Sequence, residues 1–460
     1  MHQFTTGERK REVDIVSEQA RIDVEAFPKE AAALTAQEEA ELVDRFGKSV
    51  WFATSPTQST SGTREPDVEW ELTASESYEN ELATGRAAVY YGEGHSALVR
   101  PMIFADGFNY GPSDLPGLWN HVNAPYDPDG HRLFDQLLAA GVDIVLLGFD
   151  ERHTYIQANA GVAVSCIRRV IQEQQGDAGL IVGGVSMGGM VTRYALARME
   201  TDSEDHRTET YLSYDSPHNG AWIPLILQQM AYFFETKSAN NTPSQADLIR
   251  SPAAQQLLWA WVPDARYSGL VATASPLRQQ FLTDLNNISS FPAQPRKLGV
   301  ANGTGNGTGR NLKPGDVAFD WKLNLLLIVA SATARIQPDN GNHQRIGGMH
   351  VGLQRRTSDT SWVPAFDGAP GGTLDSFGKI ADTLKAEIRE EYRDGCFVPS
   401  VSAVALDYDP VTWPIDLYTD ISTLPPERSH LDDFICDDQN SPHSAITASL
   451  ATWILERLTH

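Results

Sequence analysis

A serine between glycines stands at the centre of the most informative stretch of the chain. Residues 183–189 read Gly-Gly-Val-Ser-Met-Gly-Gly, they follow the apolar residues 180–182, and they precede the amphipathic stretch 190–199. A serine hydroxyl is a weak nucleophile unless a sharp turn exposes it to a base, and Gly-x-Ser-x-Gly between a strand and a helix builds such a turn. We therefore predict that Ser186 is a catalytic nucleophile. The alternative is a glycine-rich turn whose serine only caps the helix.

A second glycine turn follows an earlier apolar stretch. Residues 103–109 read Ile-Phe-Ala-Asp-Gly-Phe-Asn, which places Gly107 where the backbone must turn and can aim an amide at a reacting carbonyl. We predict that the backbone amides of Phe108 and Met187 hold the negative charge that develops on that oxygen. An ordinary glycine turn is the alternative.

The order of apolar stretches predicts the framework that would position these groups. Strand-like residues alternate with helical patterns as follows: strands at 98–105, 142–149, 179–185, 211–214 and 297–301, and helices at 131–140, 156–170 and 187–199. Near-continuous apolar strands between amphipathic helices are typical of a parallel sheet covered on both faces. The predicted fold class is α/β, with a mostly parallel central sheet flanked by helices.

An N-terminal segment and two later insertions lie outside this alternation. Residues 1–65 are charged and irregular apart from one predicted helix, and we expect an N-terminal arm or cap. Residues 66–460 are predicted to form one domain with insertions. Within it, 222–290 predicts an inserted group of helices, which is either a lid above the site or a structural layer. A second insertion is expected at 303–395.

Single elements are predicted within and after these insertions. The apolar pattern favours one helix over 245–261, one buried strand over 323–334, a late strand over 397–406 and a closing helix near 446–458.

Charge and composition exclude several classes of function. The formal net charge is -24 at pH 7, and a nucleic-acid-binding protein needs clustered Lys and Arg to neutralise phosphates. No stretch approaches the ~18 apolar residues of a membrane helix. The N-terminus has no visible signal peptide, so we expect a cytoplasmic location unless a leader is missing or another export route operates.

The sequence gives little indication of a metal site or of disulfide bonds. The three cysteines are too scattered for a disulfide framework, and only a pairing of Cys396 with Cys436 stays open. The turn at 127–130 lacks the further oxygen ligands of a calcium loop. We predict no metal and no cofactor.

Together these motifs resemble those of the α/β-hydrolases, in the lipase/esterase branch. The likeness covers roughly residues 85–220 and the C-terminal segment, with insertions between them. The loop containing Phe108 is similar to the His-Gly-Phe loop of that family, with Asp106 in place of its histidine. Ser216-Pro217-His218 resembles the start of a Thr-Pro-His-x-Gly segment whose histidine is usually structural, which implies a packing role for His218.

The resemblance implies a histidine base in a loop just before the last helix, and His443 stands there. An imidazole titrates near neutral pH, so it can accept the serine proton and return it to the leaving group. His430, which lies upstream in a charged loop, is the alternative base.

The acid of such a triad follows either the sixth or the seventh core strand in the family. Asp215 fits the first position because it directly follows 211–214, and its carboxylate could orient the imidazole. Asp394 fits the second, because Asp394-Gly395-Cys396-Phe397-Val398-Pro399 resembles an acid loop of the family. We favour Asp215 and keep Asp394 as the alternative.

These residues lead to one functional hypothesis and two rivals. The hypothesis is a serine hydrolase that cleaves small or lipid-like carboxylic esters through Ser186, His443 and Asp215, with an acyl-enzyme intermediate. An acyltransferase or amidase could use the same triad. A catalytically inactive binding module with the same fold is the rival from another class.

Overall fold

The computed structural model describes residues 64–235, 244–266, 273–325, 328–412 and 415–459. The expected N-terminal arm, 1–65, therefore lies outside the described residues except for its last two positions.

Eight strands form the central sheet. In chain order they are β1 (Val68–Thr73), β2 (Thr84–Tyr90), β3 (Pro101–Ala105), β4 (Asp143–Phe149), β5 (Leu180–Val185), β6 (Thr208–Tyr214), β7 (Arg296–Thr304) and β14 (Asp433–Asp437). They lie in the order β1-β2-β4-β3-β5-β6-β7-β14. Strand β2 is antiparallel to both of its neighbours, and all other pairs are parallel. The predicted mostly parallel central sheet is confirmed.

Helices cover both faces of this sheet. They are α1 (Leu115–Val122), α2 (Leu133–Ala139), α3 (Ile156–Glu173), α4 (Met187–Thr201) and the closing helix α11 (Ala448–Leu458). Successive residues of a strand point to opposite faces. Accordingly, Ile103 and Ala105 pack in a cluster with α3 and α4, whereas Met102 and Phe104 pack in another with α1, α2 and α11. Burial on both faces explains why these strands are apolar throughout.

The first insertion, between β6 and β7, contains four helices within the described residues. Its helices are α5 (Leu225–Phe233), α6 (Gln245–Arg250), α7 (Pro252–Leu257) and α8 (Pro276–Asn287). The expected single helix over 245–261 is wrong, because Ser251 and Pro252 divide it. Proline disfavours helical backbone at the residue before it, and Ser251 instead caps α7 by accepting a hydrogen bond from the Ala254 amide.

The second insertion, between β7 and β14, is mainly β-structure. Strands β8 (Val317–Leu325), β9 (Ile328–Arg335), β10 (Gln344–Val351) and β11 (Gln354–Thr360) form an antiparallel sheet in the order β11-β10-β9-β8. Strands β12 (Gly371–Leu374) and β13 (Gly395–Pro399) form a separate pair, and α9 (Ser376–Leu384) connects them.

Two strand predictions in this region are wrong. The apolar run 323–334 forms parts of two antiparallel strands, with Leu325 paired to Ile328, instead of one strand. Continuous hydrophobicity does not reveal a reversal of direction. The expected strand over 397–406 ends at Pro399 and continues into the short helix α10 (Ser400–Ala403).

Within the described residues, every helix is too short or too polar to cross a bilayer.

Candidate active site

Ser186 lies at the junction of β5 and α4. Its backbone has φ 54° and ψ -124°, and its amide donates a hydrogen bond of 2.8 Å to the Tyr214 carbonyl at the end of β6. A non-glycine residue with positive φ is held in a conformation that costs on the order of 1–3 kcal/mol. The Ser186 side chain makes no capping hydrogen bond to α4. Ser186 thus stands at the N-cap position of α4 without capping the helix through its side chain.

The glycines around Ser186 are required by close backbone contacts. A Cβ atom on Gly184 would lie 2.6 Å from the Gly188 carbonyl carbon, and one on Gly188 would lie 2.2 Å from the Ala105 oxygen. Both distances are far below van der Waals contact. The Gly-x-Ser-x-Gly pattern thus allows the end of β3 to lie directly against the turn that carries Ser186.

Asp215 and His443 form a buried hydrogen-bonded pair. Asp215 directly follows β6, and its Oδ2 lies 2.6 Å from His443 Nδ1, with both side chains 0% exposed. Its Oδ1 accepts a hydrogen bond of 3.0 Å from the Asn302 amide. A carboxylate at Nδ1 favours the imidazole tautomer that carries its proton there, which leaves Nε2 with a lone pair.

The loop around His443 is held from several sides. The His443 amide donates to the Thr373 carbonyl over 2.8 Å, and the Tyr214 hydroxyl donates to the Ala445 carbonyl over 2.7 Å. His121 Nε2 lies 2.8 Å from the Ser444 hydroxyl. Burial lowers the pKa of His121, the Ser444 carbonyl opposes this shift, and His443 adds to it. A largely neutral His121 therefore supports the loop.

His443 Nε2 is buried, and no hydrogen-bond partner is found for it within the described residues. The bond from Ser186 Oγ to Nε2 is thus not formed in this conformation. Catalytic hydrogen bonds often become short only when substrate is bound. The arrangement provides an oriented imidazole whose unbonded nitrogen can act as a base.

The two amides expected to bind an oxyanion lie on segments next to Ser186. Met187 is the first residue of α4, and the first amides of a helix have no acceptor within that helix. Gly107 lies so close that its Cβ would be 3.2 Å from Ser186 Cβ. The next residue is Phe108, whose side chain packs between two apolar clusters. The backbone amides of Phe108 and Met187 remain candidates for the oxyanion site.

The other titratable candidates have different partners. Asp394 is 39% exposed and forms an ion pair of 3.6 Å with Arg310. His430 is 45% exposed, stacks on Phe291 with ring centroids 5.0 Å apart, and lies 3.6 Å from an Asp407 oxygen.

His218 is buried, as expected for a packing role. Its Nε2 lies 2.8 Å from the Ser213 hydroxyl, and its Nδ1 lies 3.2 Å from Arg193. Burial, with a contribution from Arg193, lowers the pKa of His218 well below its ordinary value.

The three cysteines are free thiols of low reactivity. Burial raises the pKa of Cys166 and of Cys436 to about 12, and Asp215 and Asp437 contribute at Cys436. Burial, Asp215 and Asp367 raise the pKa of Cys396 well above its ordinary value. Only the thiolate is a strong nucleophile, so all three thiols are weak nucleophiles at neutral pH.

Within the described residues, one group has the spacing of a metal site. Potential ligand atoms of Asp127, Asp129 and His131 lie within 4.8 Å of one another near the surface. His131 Nδ1 already bonds to Asp127 Oδ2 over 2.7 Å, and this bond raises the pKa of His131. This bond joins two of the three potential ligands to each other.

Sequence reasoning missed three residues that support the histidine and the acid. They are Asn302, Thr373 and Gly372, and a Cβ on Gly372 would lie 2.1 Å from Asp215 Oδ2. Asn302 directly follows the predicted strand 297–301, so its position at the strand end was a usable signal. Gly372 and Thr373 lie in the expected insertion and carry no local pattern.

Comparison with known proteins gives structural neighbours only. No family model matches the chain, and no curated protein sequence matches it. Solved structures similar to parts of it include esterase Est22 (13% identity, TM-score 0.26, 35% of this chain and 47% of Est22). Mature Bacillus licheniformis lipase BlEst2 is 14% identical, with a TM-score of 0.28, and the match covers 46% of this chain and 71% of the lipase. A Pyrobaculum calidifontis esterase is 9% identical, with a TM-score of 0.27, and the match covers 57% of this chain and 79% of the esterase. The chain thus spans about half the length of Est22.

Proposed function

We propose that this protein is a serine hydrolase that cleaves carboxylic esters, with Ser186 as nucleophile, His443 as general base and acid, and Asp215 as the residue that orients the imidazole. The observation that carries the proposal is the 2.6 Å bond between His443 Nδ1 and the buried Asp215 carboxylate. The Asp215–His443 pair lies at the same end of the sheet as Ser186, because the Ser186 amide donates a hydrogen bond to the carbonyl of Tyr214, the residue directly before Asp215.

Acylation would begin with attack of Ser186 Oγ on the ester carbonyl carbon. His443 Nε2 takes the serine proton, and the imidazolium that results is stabilised by Asp215. The carbonyl oxygen becomes negative and accepts hydrogen bonds from the Phe108 and Met187 amides. The carbon–oxygen bond to the alcohol then breaks, and His443 delivers its proton to the departing alkoxide.

Deacylation would reverse these roles with water. His443 Nε2 removes a proton from a water molecule, the hydroxide attacks the acyl carbon, and the second tetrahedral intermediate uses the same two amides. When this intermediate collapses, the bond to Ser186 Oγ breaks and the serine regains its proton from His443. The products are the free acid and the regenerated enzyme.

The order of the central strands supports an α/β-hydrolase fold for this function. The proposed nucleophile follows β5, the acid follows β6 and the histidine follows β14, so all three belong to loops at one edge of the sheet. Ligands of open α/β sheets bind at the carboxyl ends of the strands. We further propose that the inserted helices α5–α8 form a lid over the site, since the Ala253 amide of α7 donates a hydrogen bond to the His153 carbonyl in the loop after β4.

An acyltransferase or amidase would use the same acyl-enzyme but a different acceptor or leaving group. Adding alcohols or amines during ester turnover tests for transfer, because a transferase would form new esters or amides faster than free acid. A catalytically inactive binding module would give neither product.

The decisive experiment compares the natural chain with Ser186→Ala. We expect hydrolysis of p-nitrophenyl butyrate to fall about a thousandfold or more, because the nucleophile is lost. A fluorophosphonate probe should label the natural chain on the peptide containing Ser186 and should not label the variant.

Ser165→Ala is the matched control. The Ser165 hydroxyl bonds to the Thr73 carbonyl on the outer side of α3, so its loss should leave turnover within about twofold. Equal activity and labelling in natural chain and Ser186→Ala would remove Ser186 from the mechanism. A folded natural chain with neither turnover nor labelling would favour the binding module.

A further inference from the structure

A buried ion pair lies at the start of the loop that carries Phe108. Asp106 directly follows β3, and its Oδ1 accepts a hydrogen bond of 2.7 Å from the Gly107 amide. Its Oδ2 lies 3.3 Å from an Arg152 Nη1 atom, and each side chain is only 11% exposed. The carboxylate therefore connects the loop to the turn after β4.

The same guanidinium also contacts the far end of this loop. Arg152 Nε donates to the Gly111 carbonyl over 3.3 Å, and Nη2 donates to the Tyr110 carbonyl over 3.4 Å. The Arg152 amide also donates to the Gly111 carbonyl over 3.3 Å. A guanidinium holds its donors in a fixed plane, so one side chain can bind three groups in a defined arrangement. Residues 107–109 are thus bracketed by a single arginine.

The turn around Arg152 is itself anchored. The Tyr110 ring stacks on His153 with centroids 4.4 Å apart, and the His153 carbonyl accepts a hydrogen bond of 3.1 Å from the Ala253 amide of α7. The Ile156 amide donates to the Gln256 side chain over 2.9 Å. The arginine is therefore held by the helical insertion rather than by a free surface loop.

We propose that Arg152 and Asp106 are positioning residues that fix the Phe108 amide over Ser186 for oxyanion binding. This inference rests on the proposed function and adds to it. An amide contributes to transition-state stabilisation only if it is fixed where the charge develops, and a displacement of about 1 Å can lower the rate about a hundredfold. The contact of Gly107 with Ser186 leaves little freedom for the loop to approach from another angle.

Removing the arginine alone has a second effect. Burial raises the pKa of Asp106, whereas Arg152, the Ser113 hydroxyl and the Gly107 amide oppose this shift, and Asp114 adds to it. Arg152→Met would therefore leave a buried carboxylate without its cation, which is destabilising in itself. The double variant Asp106→Asn with Arg152→Met removes both charges and separates this effect from positioning.

The test measures kcat and KM for p-nitrophenyl butyrate together with inhibition by a trifluoromethyl ketone, which forms a negatively charged adduct with a catalytic serine. We expect kcat and kcat/KM to fall about 10- to 100-fold in Arg152→Met and in the double variant, with KM within about threefold. Inhibitor affinity should fall in parallel. Arg152→Lys should give kcat and inhibitor affinity between those of the natural chain and those of Arg152→Met, because lysine keeps the charge but not the planar set of donors.

Arg168→Met is the matched control, because it removes a paired arginine of α3 that binds Glu204 through two bonds of 2.7 Å. It should leave both kinetic constants and inhibitor affinity unchanged. A folded double variant with the natural kcat and inhibitor affinity would overturn the positioning role, even if the single variant were unstable. A natural chain without labelling at Ser186 would instead overturn the proposed function, and this inference with it.

Discussion

At the scale of single residues, the candidate site depends on a carboxylate fully withdrawn from water. Asp215 receives the His443 imidazole at one oxygen and the Asn302 amide at the other. A buried carboxylate is tolerated only when such donors replace its hydration. Ser186 is held by its backbone, with positive φ and an amide bonded to Tyr214. Asn302 and Tyr214, which are not among the three proposed catalytic residues, thus help to fix the site.

The pairing of His443 leads to a prediction about the acid. Asp215→Asn should lower kcat about 10³- to 10⁴-fold, because an amide no longer stabilises the imidazolium and favours the wrong tautomer. Asp394→Asn should leave kcat within about threefold, since it removes only a partly exposed ion pair with Arg310. Steady-state kinetics of both folded variants give the comparison. The reverse order of effects would transfer the role of the acid to Asp394.

At the scale of secondary structure, the β12–β13 pair supports the segment that carries His443. The Thr373 amide donates to the Ser441 carbonyl over 3.0 Å, and the Thr373 carbonyl accepts from the His443 amide. Gly372 brings the backbone against Asp215, and Phe397 of β13 packs edge-on against the imidazole at 4.8 Å. The second insertion thus contributes directly to the geometry of the site.

A side chain on Gly372 should disturb this geometry. In Gly372→Ala the new Cβ would meet Asp215 Oδ2 at 2.1 Å and the His443 Cα at 3.2 Å, so the acid or the histidine must shift. We expect kcat to fall about 10- to 100-fold, with a loss of about 1–3 kcal/mol in the free energy of unfolding.

Gly348→Ala in β10 is the control, because its Cβ would have no neighbour closer than 3.4 Å. Kinetics and urea unfolding of the two variants provide the measurement. A Gly372→Ala protein with the natural kcat would show that the β12–β13 pair does not position Asp215.

Sequence reasoning was sufficient for elements whose pattern is local. The strand, turn and helix around Ser186 have apolar periodicity and glycines within a few residues of one another. The β12–β13 pair was missed, because residues 371–374 have no such pattern and are placed by contacts with 441–443. The reversal between β8 and β9 and the break at Pro252 likewise depend on turns inside continuous apolar or helical patterns.

The same limit applied to the choice of acid. Asp215 and Asp394 both have suitable local sequences, and only the folded chain places one of them beside His443. Asn302 follows a predicted strand and could have been proposed as a donor to that acid. Its interaction with Asp215 spans 87 residues, which no local pattern encodes.

At the scale of the whole molecule, the two insertions share one apolar cluster. It contains residues of α5 as well as residues of β8, β9 and β10. A buried carboxyl lies within it: Asp367 accepts hydrogen bonds from Trp222 Nε1 over 2.7 Å and from the Gln337 amide over 2.6 Å. Because Trp222 belongs to the first insertion and Gln337 to the second, Asp367 connects them.

This connection should depend on pH. Burial raises the pKa of Asp367 from 3.8 to about 6, although the Gln337 and Trp222 donors oppose the shift. The folded state therefore binds the Asp367 proton more tightly than the unfolded state does. Its contribution to stability is fully present below about pH 4 and is lost as pH rises through about 6, a change on the order of 3 kcal/mol.

Asp367→Asn removes this titration, so it provides the reference. The free energy of unfolding of the natural chain minus that of the variant, from urea unfolding, should decrease between pH 4 and pH 7. Any constant offset reflects the altered hydrogen bonds and does not affect the slope. A difference that stays flat or increases over this range would contradict the prediction.

The separation of Asp215 and His443 by 228 residues has a consequence for biosynthesis. A ribosome releases Ser186 and Asp215 long before the histidine, and domains begin to fold as they emerge. Under the proposed mechanism, the growing chain cannot hydrolyse an ester until His443 has been made. Premature termination shortly before codon 443 would yield a polypeptide that keeps its nucleophile yet lacks any base to activate it.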